Sequence, residues 1–384
     1  MIQILYTYDR ADGEAPIGDI FPICQNLAWS KKRNAVDTIS FSISLRELRD
    51  WCRARRFDIT RFFTPIRSSV VVTATGGAAI LGGFLAATPE FSFGDSADAV
   101  AQFSFSGWLG LATGYYLQPV QNFNSPLNAQ LVAGLNQALS AANSAGAPWP
   151  LSIGSHIDTL ATVQNTVDSV KKLADFLTER TDNTTGAGPF DIYFDEAGAF
   201  EVWQNYGYDV SASAIISFPD DGQIGGAKTL DFPAWDNYFS DVFLTGSGNG
   251  YGDGGAAITS AKRNAATVAN TGFYEYATSI SDISDQNTLD ARATAFLRYT
   301  AEPFATPRAT IDGDQFRIYD HRYGGNLWVG DTVAVELSAN LAELLPIEQF
   351  ATFRIDSIDA TVDGNGRTLA TLNLIDPTGG TAIS

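Results

Sequence analysis

The sequence predicts a mainly β chain with an α+β middle, in which two small β-barrel domains are separated by an α+β domain. Short stretches of alternating apolar and polar residues dominate both ends of the 384-residue chain. The chain contains 35 Gly, 25 Phe, 14 Tyr and 7 Trp, a composition that suits turns and pleated surfaces. A composition shift near Pro119 introduces two segments with helical spacing. We therefore expect domains at 1–118, 119–212 and 213–384.

The first domain is predicted to be a β-barrel with one helical insertion. Strands are expected at 2–8, 38–45, 69–74, 78–85, 91–93 and 101–106. Residues 38–45 alternate strictly, which is typical of a strand with one buried face. The glycine pair at 76–77 lies between two apolar runs and indicates a hairpin. Residues 45–56 have helical spacing, with Leu48 and Cys52 on the same side.

The middle domain is predicted to combine two helices with one hairpin. Residues 127–143 are rich in Ala, Leu, Asn and Gln and end before a glycine and a proline, which indicates a helix with a stop signal. Residues 159–180 space their apolar side chains as an amphipathic helix does. The strands of the hairpin are expected at 190–194 and 199–203, around a turn that contains Asp195 and Glu196.

The last domain is predicted to return to β structure. Strands are expected at 242–245, 308–311, 326–329, 332–337, 350–355, 358–362 and 368–374, and a helix at 289–299. The Asp-Gly-Asn-Gly sequence at 363–366 indicates a hairpin between the last two strands. The glycine-rich segment 246–255 lacks the clustered carboxylates of a calcium loop and the Gly-Lys-Ser/Thr of a phosphate loop, so we expect a mobile loop.

Composition and charge exclude several classes of protein. The net charge of −19 repels a nucleic-acid backbone, so sequence-specific DNA binding is not expected. The N-terminus has neither the basic start nor the apolar stretch of a signal peptide, and no run is long enough to predict a membrane span. The two cysteines, Cys24 and Cys52, are expected to be reduced and packed, although a disulfide between them stays open.

The sequence predicts no catalytic residue, no cofactor and no metal site. Its two histidines, His156 and His321, have no ligand or base partner at the required spacing. Glycosidases need two carboxylates, and Asp191, Asp195 and Glu196 are close in sequence. Because acidic residues in a turn usually make local hydrogen bonds, we interpret this cluster as structural.

A basic segment stands out from this acidic background. Between residues 31 and 67 there are ten Lys and Arg residues and four Asp and Glu residues. Arg46, Arg49, Arg53 and Arg56 recur three or four residues apart, so one helix face can present them together. The segment is either a solvated helix face or a docking surface for an acidic neighbour, such as another copy of the chain. As a docking surface, it is expected to face a neighbouring chain rather than a channel, because basic walls would hold DNA.

Short motifs at both ends resemble the phage tail-hub family of the two-barrel type, the baseplate or tail-tip hub. In the last domain the helix is followed by Gly330-Asp331-Thr332-Val333, then Arg354-Ile355 with Ile358, and then the closing hairpin. At the other end, residues 27–29 with 37–43 are similar to the opening strand pair of that family, and 82–85 to the strand where its barrel folds back.

The resemblance implies a structural role without catalysis. Three chains with two similar barrels each would form a pseudo-sixfold ring that joins the tail tube to the tip and lines the channel for DNA or the tape-measure protein. It implies as partners the distal tail ring, the tip or fibre proteins and the tape measure, with DNA passing but not bound specifically. The expected location is the virion tail tip, after assembly in the host cytoplasm.

Two alternative functions remain at this point. Some tail-hub relatives carry a lytic domain after the second barrel, so the chain could be the docking part of a tail-associated cell-wall hydrolase; no such domain is expected after residue 374. The many Trp and Tyr residues could instead serve a carbohydrate-binding receptor module, although core packing explains them more simply.

Overall fold

The computed structural model describes residues 2–10, 14–74, 77–93, 99–118, 121–167, 170–178, 181, 190–218, 228–231, 239–247, 257–265, 268–269, 273–280, 283, 285–300, 306–344 and 350–375. The strands of the first third are β1 Gln3–Tyr8, β2 Gly18–Asp19, β3 Gln25–Lys32, β4 Thr38–Ser44, β5 Ser68–Thr73, β6 Ala79–Leu85, β7 Glu90–Phe93, β8 Ala99–Gly107 and β9 Tyr116–Leu117. The middle strands are β10 Gln121–Pro126, β11 Ser152–Ile157, β12 Thr162–Val167, β13 Lys171–Lys172, β14 Asp191–Phe194 and β15 Ala199–Trp203.

The strands of the last third are β16 Ile215–Phe218, β17 Lys228–Asp231, β18 Asp241–Gly246, β19 Ile258–Arg263, β20 Glu275–Ile280, β21 Thr306–Asp312, β22 Thr332–Leu337, β23 Phe350–Val362 and β24 Thr368–Ile375. The helices are α1 Leu45–Ala54, α2 Leu109–Ala112, α3 Leu127–Ser144, α4 Leu173–Thr178, α5 Gln286–Thr300, α6 Gly313–Phe316 and α7 Ala339–Leu344. The chain is thus mainly β with an α+β middle, which confirms the predicted fold class.

One 14-stranded sheet, the main sheet, joins the first and last thirds of the chain. Its strand order is β17-β21-β24-β23-β3-β4-β8-β6-β5-β1-β2, and β7, β16 and β22 pair with it off this path. The two thirds meet where β23 pairs antiparallel with β3, from Ser357 opposite Lys32 to Val362 opposite Leu27. The junction is therefore a continuous hydrogen-bonded sheet.

The main sheet contains the same four-stranded arrangement twice. The first unit is β3-β4-β8-β7 and the second unit is β17-β21-β24-β23, in both cases with all neighbours antiparallel. In each unit the third and fourth strands in chain order are neighbours, and the second strand runs directly into a helix, α1 or α6. In the spatial order of the sheet, the strand at the end of the second unit, β23, pairs with the strand at the start of the first unit, β3.

Strict alternation gives the main sheet one apolar and one polar face. Ile39, Phe41 and Ile43 of β4 are fully buried, and Phe41 stacks on Phe103 and Phe105 of β8 with ring centroids 5.4 Å apart in each pair. The intervening side chains point to the other side and are mostly exposed or half-buried. We call that side the open face.

The apolar face is covered by the remaining strands of the first and last thirds and by α1. Leu48, Trp51 and Cys52 of α1 belong to the same core as Phe41 and Phe103. The predicted helix at 45–56 and the predicted 69–74/78–85 hairpin are both confirmed. Cys24, which is half-buried, and Cys52, which is buried, are both free thiols. Burial raises the pKa of both thiols, that of Cys52 to about 11.

The middle segment forms a second core. Leu131 and Leu135 of α3 pack in one cluster with Phe176 of α4 and Phe200 of β15. The predicted hairpin is confirmed as β14 and β15, and β11 adds a parallel strand to β15. A third, smaller cluster lies between α5 and the sheet β19-β18-β20.

The predicted helix at 159–180 is wrong. Residues 162–167 form β12, which pairs with β10, and among the described residues of this segment a helix, α4, is present at 173–178. The segment Thr162–Val167 contains four β-branched residues, which lose side-chain freedom in a helix, and β10 supplies a partner ladder.

The predicted strand at 326–329 is also wrong. Only Leu327 makes an isolated bridge there, with Ile318, and the backbone then turns before β22. Asp331 fixes the turn because its carboxylate accepts a hydrogen bond from the Trp328 N–H at 2.7 Å. The predicted hairpin 358–362/368–374 is confirmed by β23 and β24. Most of the glycine-rich segment 246–255 lies outside the described residues. Among the described residues, no helix has both the length and the apolar character to cross a bilayer.

Candidate assembly surfaces

The four arginines predicted at a subunit interface are all exposed, but only three lie on one helix. Arg46, Arg49 and Arg53 are on α1, and Arg56 follows it with a positive φ of 54°. The helix forms here because Leu48, Trp51 and Cys52 provide an apolar stripe, which leaves the arginines on the solvent side. Since α1 covers the apolar face of the main sheet, these arginines lie on the side opposite the open face.

The charges of these arginines are only weakly compensated within the chain. Arg49 Nε lies 3.5 Å from an Asp50 carboxylate oxygen and Arg53 Nη1 lies 3.9 Å from the same atom, all three side chains being at least half exposed. Exposed pairs of this kind contribute about 0–1 kcal/mol because water screens them. The helix can therefore offer its positive charge to an acidic surface.

The basic segment 31–67 does not form a single surface. Lys31 is buried and its Nζ lies 2.7 Å from Asp37 Oδ2. Arg33 is also buried, between Asp191 at 3.2 Å and Asp356 at 3.4 Å. Lys32, between these two buried residues, is exposed at the β3–β23 junction. The sequence could not separate Arg33 from the arginines of α1, because its acidic partners are distant in the chain.

Each of the two four-stranded units ends in a strand with a single partner. Within the described part of the chain, β7 pairs only with β8 and β17 only with β21. All four residues of β7 are exposed, and the side chains of Phe91 and Phe93 are 41% and 81% exposed. A sheet edge with exposed aromatic side chains is a template for pairing with another strand. No sequence signal distinguished β7 from the other alternating segments.

A buried ion network attaches the middle hairpin to both ends of the chain. Asp191 of β14, which is 1% exposed, accepts hydrogen bonds from Arg33 Nη1, from Arg354 Nη2 and from the Tyr206 N–H. Arg354 also donates from Nε to the Gly330 carbonyl oxygen at 2.9 Å. Burial lowers the pKa of Arg354, and the neighbouring Asp191 carboxylate opposes that shift.

A second carboxylate extends this network. Asp320 accepts hydrogen bonds from the hydroxyls of Tyr206 at 2.7 Å and Tyr193 at 3.2 Å, and from Arg322 Nη2 at 2.9 Å. Burial raises the pKa of both tyrosines well above the usual value, so both hydroxyls keep their protons and act as donors. These contacts connect β14, the segment after β15 and the turn before β22.

The backbone itself is closely packed beside the network. A Cβ atom on Gly207 would lie 2.2 Å from the carbonyl carbon of Gly330, and these glycines have φ values of +101° and +90°. Only glycine permits this crossing. The next residue, Asp331, is fully buried and accepts from the Tyr208 N–H at 2.8 Å. Asp331 and Arg354, both in the motifs quoted above, are therefore anchors between chain segments.

The side chains with catalytic chemistry are occupied in structural contacts. Asp195 accepts hydrogen bonds from the N–H groups of Ala197 and Ala199, as expected for a turn carboxylate. Glu196 accepts from the Tyr323 hydroxyl. His321 Nε2 lies 2.6 Å from Asp331 Oδ2. Within the described ranges, no three His, Cys, Asp or Glu side chains are grouped closely enough to hold a metal ion.

No family model matches the sequence, and no curated protein matches it either. Its fold, however, matches solved structures along nearly the whole chain. It is similar to a tail protein from Neisseria meningitidis MC58, with a TM-score of 0.58 and 15% identity over 98% of this chain and 99% of that one. It is similar to the 43 kDa tail protein of prophage MuSo2 from Shewanella oneidensis, with a TM-score of 0.58 and 13% identity over 99% of both chains.

A third similar structure is the prophage tail protein gp18 from Listeria monocytogenes EGD-e, with a TM-score of 0.56 and 11% identity over 100% of this chain and 95% of that one. At these identities the comparisons establish the fold and not the activity. The resemblance to tail proteins that the sequence motifs indicated is confirmed at the level of the fold.

Proposed function

We propose that this chain is a structural tail hub of a phage or phage-derived particle. Three copies form a pseudo-sixfold ring that joins the tail tube to the tip and lines the channel for DNA and the tape-measure protein. The single observation that carries the proposal is the repeated four-stranded unit. The way in which the two units join within one chain defines how the next chain is added to the ring. The tail-protein fold supports the same role.

The β3–β23 junction joins the last strand of the second unit to the first strand of the first unit. Repeating this head-to-tail relation places β7 of one chain against β17 of the next chain. Within the two units, these are the strands that have one strand neighbour each among the described residues, as β2 and β16 also have elsewhere in the main sheet. Head-to-tail contacts close into a ring when the rotation allows it.

The width of the ring decides between two and three chains. Each chain contributes eight strands to the wall, and neighbouring strands are about 4.8 Å apart. Three chains then give a backbone diameter of about 37 Å, or about 27 Å between side chains that extend roughly 5 Å from each wall. Two chains leave only about 14 Å by the same estimate. Three is therefore the smallest number that admits a DNA duplex.

We place the ring at the virion tail tip, assembled in the host cytoplasm, with the distal tail ring and the tip or fibre proteins on its two sides. The exposed arginines of α1 lie on the outer side of the wall in this arrangement and are available to a neighbouring chain. The role is non-enzymatic, since Asp191, Asp195 and Glu196 are held in structural hydrogen bonds.

Replacement of Phe93 by Asp tests the ring, because a charge on the exposed edge of β7 opposes strand pairing. We expect the wild-type chain to form trimeric rings, measured by native mass spectrometry and negative-stain imaging, and the F93D variant to stay monomeric. Phe273→Asp is the matched control, since Phe273 is 59% exposed and lies outside the two units. A twofold particle, or rings that form equally well with F93D, would contradict the proposal.

A further inference from the structure

The open face of the main sheet is unusually uniform in its chemistry. Register places Ser40 opposite Ser104 across β4 and β8, and Thr310 opposite Thr371 across β21 and β24. The two threonine hydroxyls lie 2.9 Å apart. Thr361 of β23 continues the same surface across the junction to β3. The hydroxyl-bearing surface thus extends through both units, interrupted by Ala28 of β3 and by Leu369 of β24, which is 47% exposed.

The open face carries few charges, and these nearly balance. Among the described residues of β3, β4, β8, β21, β24 and the paired part of β23, register places only Lys32 and Arg308 as basic side chains on it. Asp359 and Asp312 are the acidic residues on these strands, and they bond to Asn373 at 2.9 Å and to Arg367 at 2.9 Å. Register adds one more acidic side chain, the exposed Glu90 of β7 opposite Gln102. The net charge of −19 is therefore not located here.

The open face is also hollow at the junction. A depression of ≈ 370 Å³ lies where β23 meets β3, and its lining includes Ser30, Ser40, Thr310 and Thr361. The opposite, apolar face is covered by α1 and by the other strands of the same core. The sheet is thus covered on one side and open and concave on the other, as a channel wall is.

We infer that this hydroxyl-bearing face is the wall that contacts DNA in transit, and that it acts by binding phosphate poorly. The inference rests on the proposed function and adds which surface faces the lumen and what its chemistry does. Hydroxyl groups keep water at the wall, and a near-neutral surface neither attracts the phosphate backbone nor expels it. Each Lys or Arg that contacts phosphate adds affinity that falls steeply with salt. A wall almost without such groups lets a duplex slide.

The test introduces cations on the open face. The double variant S104K/T361K places one lysine in each unit on separate strands, which avoids a direct like-charge pair. Rings of the wild type and of the variant are isolated by size, and binding of a short linear duplex and of a covalently closed circle is then measured against salt. Only an open end can enter a closed ring, so the circle reports binding from outside.

We expect the wild-type ring to retain neither DNA. The variant ring should retain the linear duplex and not the circle, and each lysine that contacts phosphate should steepen the slope of log K against log salt by about 0.9. The control S140K/S144K puts two lysines on exposed positions of α3 and should not distinguish linear from circular DNA. If S104K/T361K does not assemble, S104C can be given an aminoethyl cation by a thiosulfonate reagent after the ring has formed.

Three outcomes would overturn the inference while leaving the ring intact. The variant could retain both DNA forms, which would put the open face outside the ring. It could retain neither, so that the face would not contact DNA. The wild-type ring could itself hold the linear duplex with a steep salt dependence. Absence of any ring from the wild-type chain would instead contradict the proposed function.

Discussion

At the scale of single residues, the most consequential group is the carboxylate of Asp191. It is buried between two arginines that come from opposite ends of the chain, Arg33 and Arg354. A buried charge contributes little net stability when it is paired, but loss of one partner leaves the others uncompensated. Asp191 thus compensates the charges of two buried guanidinium groups, those of Arg33 and Arg354.

Replacement of Asp191 by Asn should lower the free energy of unfolding by about 3–5 kcal/mol, because the variant removes the buried carboxylate that accepts hydrogen bonds from both arginines. Denaturant unfolding followed by near-ultraviolet circular dichroism measures the change. Asp50→Asn is the control, since Asp50 pairs only with exposed arginines of α1 and should cost less than about 1 kcal/mol. Equal losses from the two variants would show that the network does not anchor the chain.

This network could not be predicted from the sequence. Arg33 and Arg354 lie 158 and 163 positions from Asp191, and no local pattern connects such distant residues. The resemblance to tail hubs did point to the Arg354 and Asp331 motifs, but as signatures of strands and not as buried anchors. Three of the surface arginines were simpler to predict, because helical spacing alone puts Arg46, Arg49 and Arg53 on one side of α1, whereas Arg56 lies beyond its end.

At the scale of elements, strict alternation was reliable, whereas helical spacing was reliable for α1 and not for residues 159–180. The strands β4, β8 and β24 agree with strict alternation, and the Asp-Gly-Asn-Gly turn fixes the last hairpin. The segment 159–180 has apolar residues at helical spacing, yet it forms β12 because the neighbouring β10 offers hydrogen bonds. The β propensity of these residues and their pairing with β10 outweighed the helical spacing of their apolar side chains.

The helix α1 provides the prediction at this scale. Replacing Arg46, Arg49, Arg53 and Arg56 by Gln should weaken ring assembly and reduce its dependence on salt, because charges at the rim of an interface act on association rate and partner choice. The fraction of rings at increasing salt, measured by mass photometry, gives the result. If assembly and its salt dependence do not change, α1 is only a solvated face. Lys262→Gln is a control, since this lysine is outside the segment.

At the scale of the whole molecule, the first and last thirds share one sheet and one core. The ladder between β3 and β23 and the contact of Trp29 with Trp328, ring centroids 6.4 Å apart, both cross between residues 1–118 and 213–384. These segments were predicted from composition as separate domains. Sequence reasoning could not find the shared sheet, because alternation describes which face of a strand is buried and not its partner.

A fragment of residues 1–118 should therefore not fold alone. Without β23, the strand β3 has an unpaired edge and Trp29 loses an aromatic neighbour. We expect no cooperative thermal transition for the fragment, and recovery of one when residues 119–384 are co-expressed with it. Amide spectra by nuclear magnetic resonance are the second measurement. A well-dispersed spectrum from the isolated fragment would contradict the shared-core description.

The outer strands of the two units, β7 and β17, have a kinetic consequence for the proposed ring. A pair of joined chains still exposes one edge of each kind, and the third chain covers both in a single encounter. The closing step thus forms two strand junctions, but only one chain loses its translational and rotational entropy. The second junction forms at the high local concentration that the first junction creates. Open pairs should be scarce at equilibrium, and the Phe93 edge should be exposed mainly on free chains, which are then the species prone to aggregate.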